Sequence, residues 1–154
     1  MSNTPSKLRT PLVILGAGVM AEIVFEAYAW LISPKIFGPK LEPANLVKGL
    51  MKKFLGLELS YMQAFFIHLF VGAVIFSLAV YLISKLLKSR YVLGGFVTGL
   101  ALWFTAQGIL APLMGRSFMM DFGPYTQSSF IGHVGMTLII GFIFSRAFKR
   151  NTVG

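Results

Sequence analysis

The stretch MQAFFIHLFVGAVIFSLAVYLIS, residues 62–84, decides the fold class. It contains no Asp, Glu, Lys or Arg, and its one side chain that titrates near neutral pH is the imidazole of His68. About 20 mainly apolar residues cross a bilayer as a helix, and a run of this length is too long for a strand or a soluble core helix. Three further runs read the same way, giving spans at about 11–33, 62–84, 91–115 and 127–145. Hydrophobic residues make up 56% of the chain and charged ones 12%, so little of the 154 residues is left for a soluble module. The expected fold is an all-α integral membrane four-helix bundle, residues 1–154 as one transmembrane domain of two in-out-in hairpins.

Each run carries a polar residue at a similar distance from one end: Glu26, His68, Gln107 and His133. At about 1.5 Å rise per residue these sit roughly 8–12 Å inside one membrane face. Glu22 precedes Glu26 by four residues and shares its helix face. Ionisable groups in a bilayer are costly and turn to the bundle interior, where they meet one another. This buried polar layer is therefore the candidate site. It can serve as a proton relay, as a cation or metal site drawn from His68, His133 and Glu26, or as a haem b clasp between the two histidines. It can also be structural, with neutral acids and imidazoles hydrogen-bonded between helices and His68 or His133 bonded to Gln107 or Glu26. No HxxxH or ExxH spacing occurs, and Phe65, Phe66, Trp103 and Phe130 are expected to fill this level. The expectation is accordingly no cofactor, with haem b or a divalent metal as the alternative.

The net charge of +9 is laid out in short juxtamembrane runs. Lys7, Arg9, Lys85, Lys88, Arg90, Arg146, Lys149 and Arg150 flank one side, eight in all. Lys35, Lys40, Lys48, Lys52, Lys53 and Arg116, six, flank the other, offset by Glu42, Glu58 and Asp121. Lys and Arg favour the cytoplasmic side, which puts both termini in the cytoplasm. Anionic lipid explains such runs, and nucleic acid is not an expected partner. The first run is followed by no small-residue cleavage site and is read as a retained span, not a signal peptide. Without cysteine there is no disulfide, thiolate site or thiol nucleophile.

The first connection is long and predicts its own element. Pro43 suits a first helical turn, and Leu46, Val47, Leu50, Met51, Phe54 and Leu55 then recur at helical spacing between Lys48, Lys52 and Lys53. An amphipathic helix at about 43–56 lies at the interface, either as a strut capping the bundle or with its lysines facing lipid or a partner. Gly95 with Gly99, and Ser128 with Gly132, are small-xxx-small pairs that mark close helix packing. The halves can be read as parallel repeats: spans ending at Pro34-Gly38 and Pro112-Gly115 are each followed by one carrying Phe-Ile-His68 or Phe-Ile-Gly-His133. In the third connection, Arg116 and Asp121 are placed to pair.

Phe66-Ile67-His68 with Gly72, Gly95 through Trp103 to Pro112-Leu113-Met114-Gly115, and Phe130-Ile131-Gly132-His133-Val134 form three segments. They resemble the YagU-like proteins, small bacterial inner-membrane proteins of unknown function. Together they cover about half of the chain, and the first span with its glutamates departs from the pattern. The resemblance implies a four-helix protein of the bacterial inner membrane with the two histidines as recurring positions, and it implies no substrate.

Walker, dinucleotide-binding, serine-nucleophile and zincin motifs are absent from the sequence. The leading functional expectation is a non-enzymatic accessory or stabilising subunit of an inner-membrane assembly, in contact with lipid and with another membrane protein or with itself. The alternative is a proton- or cation-conducting, haem- or metal-binding protein that uses the polar layer. A lipid-modifying enzyme would have only Asp121 and Tyr125 to work with.

Overall fold

The computed structural model describes residues 8–149; Lys7 and Arg150, counted above among the basic flanks, lie outside the described residues. Five helices follow one another: α1 (Arg9–Phe37), α2 (Pro43–Leu55), α3 (Tyr61–Leu86), α4 (Tyr91–Leu113) and α5 (Pro124–Lys149). All except α2 are long and apolar enough to cross a membrane, and no strand occurs among the described residues. The protein is a small, all-α, multi-pass membrane bundle. One end carries α2 and the 114–123 loop and is called the loop side here; the other carries Arg9 and the 87–90 turn.

Local chemistry sets the helix ends. Pro43 occupies the first turn of α2, and Gly56, at φ 67°, closes it in the left-handed conformation. Ser60 and Gln63 form a reciprocal capping box that starts α3. Among the boundaries that differ from the sequence reading, two have a clear local cause. Helix α5 begins at Pro124 rather than near Gln127, because proline is favoured in a first turn, where no amide hydrogen is needed. Helix α1 runs past Ser33 and Pro34 to Phe37, because a π turn at Tyr28–Ile32 precedes the proline. A wider turn rearranges the hydrogen-bond ladder just where proline withholds a donor.

The same device recurs in α4, where a π turn at Thr105–Leu110 precedes Pro112. A third π turn occupies Val71–Phe76 of α3. The three wide turns lie beside Glu26, beside His68 and around Gln107, at the level of the polar layer.

Helix α5 is the centre of the bundle and is buried along half of its apolar window. One face receives α4: a Cβ at Gly99 would come 2.7 Å from the Val134 Cα. Another receives α1: a Cβ at Gly132 would come 2.7 Å from the Phe25 ring. Ser128 bonds to the Tyr28 hydroxyl at 2.8 Å and the Ser33 hydroxyl at 2.6 Å. In lipid, packing and interhelical hydrogen bonds of this kind hold helices together.

Helices α3 and α4 pack on each other along Ser77–Leu86 and Tyr91–Phe104. Towards the loop side they part, and α2 lies against the Tyr61–Phe70 half of α3 instead. At its other end α2 reaches α4, where the Lys53 ammonium donates to the Leu113 carbonyl at 2.5 Å. A cation there also meets the negative end of the α4 dipole. The amphipathic helix thus bridges the gap between two diverging spans. Of its lysines, Lys52 pairs with Glu58 at 2.7 Å, whereas Lys48 makes no ion pair among the described residues. The expected Arg116–Asp121 pair does not form: Ser117 donates to Asp121, and Arg116 turns to the Met120 sulfur. A left-handed run from Met119 to Phe122 takes the chain direction away from such a contact.

Candidate functional site

Beneath α2, between the parted halves of α3 and α4, lies a cavity of about 320 Å³. Leu46, Val47, Leu50 and Met51 of α2 form its roof, and Phe25, Phe76 and Met136 are among its apolar walls. His68, Gln107, Ser129 and His133 supply polar groups to the same space. This corrects the expectation that bulky aromatics fill the level. Phe66 points outward and is exposed, and Trp103 stacks edge-on against Phe130 at 5.1 Å.

The polar layer divides into two clusters. On the α1–α3 side, the His68 Nε2 lies 3.2 Å from a Glu22 oxygen and 3.5 Å from a Glu26 oxygen. The ligand atoms of the three side chains lie within 4.8 Å of one another. Glu22 is 3% exposed, and neither of its oxygens has a hydrogen-bond partner among the described residues; the same holds for Glu26 Oε1 and His68 Nε2. The three groups thus stand within reach of a single ion without being hydrogen-bonded to one another. Helical spacing places Glu22 and Glu26 one turn apart, and Trp30, one turn further on, donates to Glu26 Oε2 at 2.8 Å. That bond leaves Oε1 turned to His68. Gly72, in the π turn of α3, makes room for the acid: a Cβ there would lie 2.5 Å from the Glu22 Cδ.

On the α4–α5 side, Gln107 donates to the Ser129 hydroxyl at 3.0 Å. His133 meets the Ser129 carbonyl through Nδ1 at 2.8 Å, one turn back along its own helix. A carbonyl only accepts, so Nδ1 carries the proton and Nε2 of the neutral ring is left as an acceptor. Gln107 Oε1 is buried without a partner.

The set Glu26, His68, His133 that the sequence suggested for a metal is therefore not assembled. Glu22 takes the place of His133, because His133 is held on α5 by Ser129. The histidines of the two halves read as repeats also have different surroundings: a π turn follows His68, whereas α5 is α-helical throughout. A haem clasp meets a further obstacle, since the Nε2 of His68 is turned onto carboxylates. Gly95, Gly99, Ser128 and Gly132 all lie in helix contacts, not in the clusters. Asp121 is exposed in the loop and Tyr125 lines the cavity, so the two do not form one site.

Sequence reasoning missed Ser129, Trp30 and the role of Gly72. The first two had a signal, each standing one helical turn from a residue already singled out. The third had none, because only the approach of α1 shows what a side chain at 72 would displace. Comparison with protein-family models, curated proteins and solved structures finds no match to this chain.

Proposed function

We propose that this protein binds a divalent first-row cation in the membrane through Glu22, Glu26 and His68. One observation carries the reading: an acid buried to 97% has two oxygens without a hydrogen bond among the described residues, beside a second acid and an imidazole that each turn one unpartnered atom towards it. Buried charge is kept only where it is paired or coordinates a metal. Two carboxylates and one imidazole suit zinc, manganese or iron(II), and three protein ligands leave a coordination position open to a further ligand. The adjoining cavity is the natural source of one. The π turns support the same centre, since such bulges cluster at functional positions.

The test is metal content by mass spectrometry of purified protein incubated with zinc or manganese, with cobalt(II) absorption as a second readout. One ion per chain, lost in Glu22→Gln and in His68→Ala variants that still elute as folded protein, supports the centre. A wild type that stays metal-free, or variants that bind as well as it does, overturns it.

The accessory-subunit reading keeps one structural support. Leu12, Leu15, Gly16, Val19 and Ile23 of α1 line a shallow apolar groove on the bundle surface, shaped for a helix or for lipid chains. Cross-linking from Gly16→Cys in native membranes separates these, since only a protein neighbour gives a discrete adduct. The Lys and Arg count argues for cytoplasmic termini in a bacterial inner membrane. The YagU-like resemblance agrees with that placement, and cysteine accessibility at the two ends of α1 tests it.

A further inference from the structure

The α4–α5 wall of the cavity is built differently from the cation centre, and it asks for a different ligand. It presents two hydrogen-bond acceptors with no donor opposite them. Gln107 is 94% buried and donates one amide hydrogen to Ser129, and its Oε1 has no partner among the described residues. His133 spends its Nδ1 proton on the Ser129 carbonyl, which leaves the Nε2 lone pair without a donor among the described residues. Ser129 thus fixes the orientation of both. In a bilayer there is no bulk water to satisfy such groups, and each unmet acceptor is costly.

The rest of the space is apolar and bounded by α2, Phe25, Phe76 and Met136. Its volume of about 320 Å³ lies at the small end of ligand pockets, enough for one ring or a short stretch of chain. Water would satisfy the acceptors but not the apolar walls. An anion is excluded by two lone pairs and the nearby carboxylates. A hydroxyl on an apolar body meets both demands.

We infer that this cavity binds a lipid-soluble molecule whose head donates hydroxyl hydrogen bonds to the Gln107 Oε1 and His133 Nε2 acceptors, to both as a quinol would or to one as a long-chain alcohol would. The head enters where α3 and α4 part, under the roof of α2. The site shares the cavity with the cation centre but not its residues, so it stands or falls independently of metal binding.

The oxidised and reduced forms of one quinone make a sharp probe, because they differ in little but the two hydroxyl hydrogens. Native mass spectrometry of the purified protein is run with decylbenzoquinol under anaerobic conditions, with decylbenzoquinone, and with dodecanol. The expected result is a one-to-one adduct with the quinol, and binding of the quinone weaker by about tenfold to a hundredfold, as loss of hydrogen bonds to buried acceptors implies. Dodecanol binding alongside the quinol shows that a single hydroxyl suffices; binding of the quinol alone shows that both are used. Gln107→Leu lowers quinol binding by at least about tenfold while metal content stays unchanged. Should Gln107→Leu fail to fold, Leu50→Trp fills the space from the α2 side and excludes the quinol without touching either acceptor. Equal binding of quinol and quinone, undiminished binding in both variants, or no adduct with any probe overturns the inference. None of these results alters the metal stoichiometry on which the cation centre depends.

Discussion

Glu22→Gln separates a metal-binding carboxylate from a merely tolerated one, because its effect on stability should change sign with metal. Without metal, the wild type holds two Glu22 oxygens and Glu26 Oε1 unpaired in the interior. Glutamine has nearly the same shape, and its amide hydrogens can reach the Glu26 oxygen or His68. Each unmet buried group costs about 1–3 kcal/mol, so meeting one of them stabilises the metal-free variant by about that amount. For a chain of this size, 1 kcal/mol corresponds to about 2–4 °C, so the metal-free Tm should rise by roughly 2–12 °C. With metal at about a hundred times its Kd the wild type gains about 2.7 kcal/mol, a gain the variant largely forfeits. The gap should therefore close or reverse on adding zinc or manganese. Thermal unfolding in detergent, followed by circular dichroism with and without a chelator, measures both arms. A variant that melts below the wild type without metal, yet keeps the full metal-induced shift, would refute the reasoning.

Gly72→Ala pushes a methyl group against the Glu22 carboxylate and should cost about 1–3 kcal/mol together with the metal site. Gly16→Ala faces open space and should leave metal content and Tm near wild type; equal losses in the two variants would show that the space beside Gly72 is not what matters. Ser128→Ala removes the group shared by Tyr28 and Ser33 and should destabilise the bundle by about 0.6–1.7 kcal/mol in micelle unfolding, with metal binding retained. The Lys52 ammonium holds the Glu58 carboxyl below its ordinary value, and Glu58 in turn holds Lys52 above its own. The contribution of this pair is thus complete above the ordinary glutamate value of about 4.3 and below the ordinary lysine value of about 10.4. It is lost as pH falls through the lowered Glu58 value, and again as pH rises through the raised Lys52 value. Amide exchange at Gly56 and Leu57 should show a small excess of opening at those two extremes, and Glu58→Gln should abolish that excess. An identical pH profile in the variant would show that the pair does not hold the end of α2.

The amino-acid sequence alone determined the class of the protein, because membrane crossing is a property of local composition and length. The four apolar runs, the amphipathic helix from Pro43 and the packing glycines are each visible within one segment, since a bilayer or a close helix contact constrains residues only a turn or two apart. The sequence also marked Glu22, Glu26, His68, Gln107 and His133 by their cost in lipid. It did not determine how they group, because grouping depends on the rotation of each helix about its axis. The π turns at Tyr28–Ile32, Val71–Phe76 and Thr105–Leu110 alter that rotation, and residue types announce them only in part: a proline follows the first and the third, and nothing comparable marks the one beside His68. Tertiary structure decided the rest. It sent His68 to the two acids and His133 to Ser129, and it parted α3 from α4 on the loop side. It then laid α2 over the gap, so that a layer of isolated polar residues became two clusters around one cavity.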